Sequence, residues 1–260
     1  MGTNSMSICP ICEGALALWD RARQQMIPCA CQREIITAKR LRKLAVASSL
    51  TPRLQRQTLS TFDATIDPQA LQATRAWQRH WAQERPQEHG NAPTPPWLFL
   101  TGRVGSGKTH LLAGATNALL ARGESALYVV APDLFDYIRA GIGQHSFTGI
   151  GSDDALARLA LIRDVDFLLL DEVGKEHLTD YAESLLFSLL DHRYRWERKT
   201  AIASNLSALE LPDYLASRVG DRAVCRAVRM ANSADYRLLP PEERYQSHRD
   251  NQDEGQGGRS

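Results

Sequence analysis

The run Gly102-Arg103-Val104-Gly105-Ser106-Gly107-Lys108-Thr109 matches G-x-x-x-x-G-K-[ST] in full. Glycines at this spacing let backbone N–H groups close around phosphate oxygens, and a helix starting at the lysine adds its dipole. Gly102, Val104, Gly105, Ser106, Gly107, Lys108, Thr109 and the following His110 are therefore expected to hold a nucleotide. Lys108 is expected to reach the β- and γ-phosphates and Thr109 to ligate Mg²⁺. Downstream, Phe167-Leu168-Leu169-Leu170 runs straight into Asp171-Glu172. A carboxylate at the tip of an apolar strand can hold Mg²⁺, which assigns Asp171; Glu172 is placed to act as the general base on a water. Taken alone, an Asp-Glu pair after a strand is a helix cap; the upstream loop makes it a hydrolytic pair. Asn205, after Ala201–Ser204, is placed to sense a γ-phosphate.

Four arginines follow. Arg218, Arg222, Arg226 and Arg229 are spaced 4, 4 and 3 apart, which predicts one helix face. One or two of the four are expected to reach the nucleotide of a neighbouring subunit, and Arg237 to touch phosphate within its own chain. A solvated basic face would look the same.

Another chemistry sits near the N-terminus. Cys9, Cys12, Cys29 and Cys31 form C-x2-C-x16-C-x-C. Two close thiol pairs joined by a loop can fold onto one tetrahedral Zn²⁺. An iron–sulfur centre takes the same ligands, and disulfides are the alternative in an oxidising compartment. With no general base nearby, the metal is expected to be structural. The fifth cysteine, Cys225, reads as a small buried residue.

The elements that must position these groups follow from patterning. Strands are expected at 97–101, 126–130, 166–170 and 200–204, and helices at 109–121, 132–139, 155–162 and 181–195. Strands alternating with helices predict a parallel sheet covered by helices. Upstream, 32–47 and 71–81 read as helices, separated by a break at Thr51-Pro52 and followed by a proline-rich loop. Residues 33–56 hold seven cations and one acid, a basic patch in a chain whose net charge is +1. With 43% hydrophobic and 23% charged residues, the 260-residue chain can bury a core, so wholesale disorder is excluded. No apolar run approaches the roughly 20 residues of a membrane span. No leader pattern is read, and the chain is expected to be soluble and cytoplasmic. The expected domains are 1–50 (a small helical four-cysteine zinc module), 51–96 (linker and lead-in helix), 97–240 (nucleotide domain) and 241–260 (disordered tail).

Taken in order, GRVGSGKT, LLLDEVG, RYRWERKTAIASNLS and SRVGDR resemble the DnaC/DnaI/IstB branch of the AAA+ ATPases. Thr51-Pro52-Arg53 and Thr58–Asp63 resemble its lead-in segment, and the cysteine knuckle resembles N-terminal zinc modules of DnaI-like loaders. The resemblance implies an α/β AAA+ P-loop NTPase fold, ATP with Mg²⁺, and hydrolysis to ADP and phosphate. It makes Lys108 and Thr109 the Walker-A pair, Asp171 and Glu172 the Walker-B pair and Asn205 sensor 1. Arg218 and Arg222 match the segment that carries an arginine finger, and Arg237 resembles sensor 2. Arg193, in RYRW, matches a recurring position that packs against the sensor strand.

The implied partners are a replicative DNA helicase, gripped by the zinc module, single-stranded DNA, and further copies of the chain assembled head to tail. The leading expectation is an ATP-dependent helicase loader. The alternative on the same core is an IstB-like transposition helper, which usually carries a basic helical N-terminal region instead of a cysteine knuckle. A non-catalytic DNA-binding adaptor would not need Glu172. A P-loop small-molecule kinase would not need Glu172, Asn205 and the arginine row together.

Overall fold

The structure, a computed structural model, describes residues 9–13, 15, 17–21, 24–29, 31, 43–82, 94–140, 151–174, 180–230 and 238. Arg237 and the polar tail expected at 241–260 lie outside them, as does most of the helix expected at 32–47, of which 43–47 are helical. The chain divides into two compact units, Met1–Val46 and Ala47–Ser260.

The first unit is built around the cysteine pairs. Backbone N–H groups of Glu13 and Ala15 donate to the carbonyls of Cys9 and Cys12, both at 2.8 Å, which makes the tight turn that a C-x2-C pair needs. The stretch between the pairs, expected as a loop, is a hairpin. β1 (Ala17–Asp20) pairs antiparallel with β2 (Gln25–Pro28), with Trp19 opposite Met26. The connection Arg21-Ala22-Arg23-Gln24 carries no Asn-Gly or Asp-Gly signal, which is why sequence patterning passes over it.

The second unit opens with α1 (Pro52–Gln55) and α2 (Pro68–Trp81). Asp67 caps α2 by accepting from Ala70 N at 2.8 Å, and Pro68 starts it, so the helix begins three residues before the expected 71. Five parallel strands follow: β3 (Trp97–Thr101), β4 (Ala126–Val130), β5 (Phe167–Val173), β6 (Lys199–Ser204) and β7 (Cys225–Arg229). Their order across the sheet is β4-β5-β6-β3-β7. The flanking helices are α3 (Lys108–Ala121), α4 (Ala131–Arg139), α5 (Gly151–Arg163), α6 (Asp180–Arg195) and α7 (Asp213–Gly220).

β3 is buried along its whole length, as is β5 up to Asp171, which explains their unbroken apolar sequences. Trp77 of α2 is 1% exposed, donates from Nε1 to Pro96 O at 3.0 Å, and meets Phe167 edge-on. One buried cation ties the far side. Arg193 of α6, wholly buried, donates to Thr200 Oγ1 (2.9 Å) and to the carbonyls of Lys199 (2.7 Å), Arg163 (2.9 Å) and Val165 (2.9 Å). It thereby fixes the starts of β5 and β6 and the end of α5, and burial pulls its pKa down to about 9.

The arginine row needs correction. α7 ends at Gly220, and Arg226 and Arg229 lie on β7, which pairs in parallel with β3. Spacings of four and three mimic a helix face, but backbone pairing across the sheet decides the conformation.

Among the described residues no helix is long and apolar enough to cross a membrane.

Candidate functional site

β3 delivers the chain into the loop from Gly102 to Gly107, and α3 starts at Lys108. Lys108 Nζ donates to the carbonyls of Gly102 (2.6 Å) and Arg103 (2.8 Å) and to Ser106 Oγ (3.3 Å), so its ammonium is held within the loop. Two glycines are explained by what lies against them. Gly107 has φ +94°, and a Cβ there would come within 2.6 Å of Phe62 Cε2. Gly114, about two turns further along α3, would meet the Thr58–Leu59 backbone at 2.9 Å. Both positions stay bare because the lead-in segment lies directly on the P-loop helix. Asn117 Nδ2 donates to the carbonyls of Leu54 (2.9 Å) and Gln57 (2.7 Å), and Arg75 donates to Leu59 O (2.9 Å), which pins the segment further. His110 joins in: Nε2 lies 3.0 Å from Thr58 O, and its ring meets Phe62 edge-on.

Strand order does the rest. β6 sits between β3 and β5, so the residue after β6 lies between the P-loop and the tip of β5. That residue is Asn205. A cleft of about 490 Å³ is lined by Val104 to His110, Asp171, Glu172 and Asn205, and on its lead-in side by Leu54, Gln57, Phe62 and Ile66 among others. The apolar side chains suit a base, and the loop amides suit phosphates. Gln57 Oε1, in this wall, is buried without a hydrogen-bond partner. The residues present therefore fit a nucleotide.

The strand carrying the carboxylates is not regular. Between Leu170 and Val173 the β5–β6 register slips, so β5 bulges at Asp171-Glu172. Glu172 has φ +59°, a left-handed conformation rarely adopted by a residue with a Cβ. Backbone strain of this kind gathers where a side chain must be aimed. Asp171 is 2% exposed; its Oδ1 accepts from Glu172 N and its Oδ2 from the Tyr128 hydroxyl, both at 2.8 Å.

The remaining assigned residues are dispersed. Gly102 contributes its carbonyl to Lys108. Arg218 is not among the residues lining the cleft: it is bonded to Asp191 and stacked between Phe187 and Tyr194, with ring centroids 5.3 and 5.4 Å away. Arg222 is exposed in the turn after α7. Sequence reasoning missed Tyr128 and Gln57. A single tyrosine inside the aliphatic strand Ala-Leu-Tyr-Val-Val was the available signal, since a buried hydroxyl needs a partner.

In the first unit the four cysteine sulfurs lie within 4.8 Å of one another. Cys12 Sγ is 3.4 Å from Cys31 Sγ and Cys9 Sγ is 4.0 Å from Cys29 Sγ. A tetrahedron with bonds of about 2.3 Å has edges of roughly 3.8 Å, whereas a disulfide needs about 2.05 Å. All four are free thiols, and the crowd of neighbouring sulfurs, that of Cys12 first, pushes the Cys31 thiol far above its usual range. The donor set fits Zn²⁺.

A parallel sheet with the sensor strand between the P-loop strand and the acidic strand, a loop that wraps phosphate and a carboxylate pair define an AAA+ P-loop nucleotide-binding protein. The family model for IstB-like ATP binding protein matches residues 94–232, and the chain belongs to that family. The replicative helicase loader DnaC of Buchnera aphidicola (Schizaphis graminum) is 30% identical over 152 residues, 58% of this chain and 57% of that protein. DnaC of Escherichia coli K12 is 29% identical over 136 residues, 52% of this chain and 51% of that one. The chain thus spans a little over half the length of these relatives. Among solved structures, that of the DnaC helicase loader shares the fold over 69% of this chain and 99% of its own, with TM-score 0.53 and 19% identity. AMPPCP-bound DnaA from Aquifex aeolicus shares it over 76% and 56%, with TM-score 0.54 and 22% identity.

Proposed function

We propose that this protein is an ATP-dependent loader of a replicative DNA helicase. The observation that carries the reading is the convergence of Lys108, Thr109, Asp171, Glu172 and Asn205 on one cleft, in a chain similar to proteins named replicative helicase loader. Residues 97–240 form the ATPase domain, which also takes single-stranded DNA. The four-cysteine unit, Met1–Val46, forms the module that grips the helicase, and the lead-in segment 51–82, expected as a linker, belongs to the nucleotide unit.

In the cleft, Lys108 leaves its loop carbonyls for the phosphate oxygens. Thr109 and Asp171 would hold Mg²⁺, which when bound would offset phosphate charge. Glu172 takes a proton from water as the oxygen attacks the γ-phosphorus; the bond to the β-phosphate oxygen breaks, and ADP and phosphate leave. Asn205 orients that water. Arg237 contacts phosphate within its own chain.

Copies assemble head to tail, and Arg222 reaches the neighbour's nucleotide. Its exposure favours it over Arg218, whose guanidinium is already committed to Asp191. Zn²⁺ on Cys9, Cys12, Cys29 and Cys31 crosslinks the module that holds the helicase.

The test is helicase loading. The organism's own replicative helicase is incubated with closed circular single-stranded DNA, with and without this protein and ATP. The reading expects bound helicase to rise only when both are present. No rise under any condition overturns it and moves the alternative, an IstB-like transposition helper, to first place.

A further inference from the structure

Tyr128 stands mid-strand in β4, an outer strand of the sheet next to β5. It is 1% exposed, and its hydroxyl donates to Asp171 Oδ2 at 2.8 Å. Since Asp171 Oδ1 accepts from Glu172 N at 2.8 Å, each carboxylate oxygen has a donor and the plane of the carboxylate is set. Val130 lies opposite Asp171 in the β4–β5 register, so the phenol reaches diagonally across the pair.

Tyr128 is itself held from the other edge of β4. Ser49 N and Ser48 Oγ both donate to Tyr128 O, at 3.0 and 3.2 Å. Ser49 Oγ accepts from Val130 N at 3.1 Å and donates to Asp133 Oδ2 at 2.6 Å. Residues 48–49 thus strap the strand at the position that carries the phenol.

We propose that Tyr128 is a positioning residue for metal-dependent nucleotide binding, holding the Asp171 carboxylate in the orientation that receives Mg²⁺. The inference rests on the reading of the cleft as a Mg²⁺–ATP site. Its chemistry is simple. A buried carboxylate with one unfixed oxygen can rotate or draw in water; a phenol donor removes that freedom without adding charge. A phenol keeps its proton at neutral pH, so the hydroxyl is a donor to the carboxylate. Partners that orient a metal-binding group matter to metal affinity by factors of about 10–100.

The experiment titrates a fluorescent ATP analogue into wild type, Tyr128→Phe, Asp171→Asn and the double variant, with Mg²⁺ varied and again in EDTA. Tyr128→Phe is expected to raise the Mg²⁺ concentration for half-maximal binding about tenfold and leave affinity in EDTA unchanged. In the Asp171→Asn background the same substitution is expected to add nothing, because the phenol acts through that carboxylate. A Mg²⁺ midpoint within about twofold of wild type, or an equal loss in EDTA and in Mg²⁺, overturns the proposal. So does a Tyr128→Phe effect that persists undiminished on Asp171→Asn, a comparison between two variants that stands even where folding is weakened. Wild type that fails to bind the analogue in any Mg²⁺ concentration overturns the nucleotide reading itself, and this inference with it.

Discussion

The two units solve the problem of holding a shape by different means. In the nucleotide unit the polar working residues stand on a large apolar core: Trp77, Trp97, Phe99, Phe167, the leucines of β3 and β5, and Leu111, Leu112 and Leu119 of α3 are almost wholly buried. In the cysteine unit several large side chains among the described residues are exposed. Ile11 is 64% exposed and Trp19 and Met26, cross-strand partners, are each 58% exposed, while Cys12 and Cys29 are buried. One unit is stabilised by burial and can carry strain such as Glu172. The other has ligand atoms where a core would be, and a hairpin of two four-residue strands is too small to stand without them.

The largest effect that sharpens this contrast is metal removal. Stripping the first unit of its metal should cost it on the order of 10 kcal/mol of folding free energy. The hairpin signal, followed by Trp19 fluorescence, should vanish while the main melting transition of the nucleotide unit stays in place. Metal content of one Zn²⁺ per chain, lost in a Cys12→Ser/Cys29→Ser variant, checks the ligand set. A chelator that melts both units together would erase the distinction.

Next comes Arg222, proposed to reach a neighbouring copy's nucleotide. Arg222→Ala should lower ATP turnover by about 10³-fold or more without moving Tm. Mixed with Glu172→Gln, which keeps Arg222, it should regain turnover, since each variant supplies what the other lacks. Arg218→Ala should instead lower Tm, because the guanidinium joins α7 to Asp191 of α6. Turnover that does not recover on mixing would place the missing charge elsewhere.

Trp77→Ala probes the core of the nucleotide unit. Loss of a fully buried tryptophan should cost about 3–5 kcal/mol, read as a lower denaturant midpoint, with Zn²⁺ content unchanged.

The smallest effect runs the other way. Glu172→Gly should relieve a left-handed φ and stabilise the unit by about 1 kcal/mol, a rise of about 2–4 °C in Tm, while turnover collapses. A fall in Tm would show that the bulge is not strained.

Much of the nucleotide unit can be read from the chain because its signals are local. A glycine-rich loop after a short apolar run, and an apolar run ending in Asp-Glu, each carry their own context; β3 and β4 have the expected ends. What escapes is what depends on distant partners. β7 is an edge strand with three exposed residues out of five, Arg226, Ala227 and Arg229, and only its pairing with β3 separates it from a helix. The Tyr128–Asp171 bond spans 43 residues. The bare Cα of Gly114 makes sense only once the lead-in is seen lying on α3. The hairpin between the cysteines escapes for a different reason: its strands are very short and its turn residues ordinary, so the metal-ligand spacing is legible and the scaffold is not.

The division of labour between the units, capture by one and turnover by the other, is tested most directly by helicase pull-down. Wild type and a Cys9→Ser/Cys12→Ser variant are compared against the organism's replicative helicase, each with ATP and with ADP. The account expects wild type to retain the helicase in ATP and release it in ADP, and the variant to lose capture while still hydrolysing ATP. Equal capture by the variant, or none by wild type in either nucleotide, would contradict it.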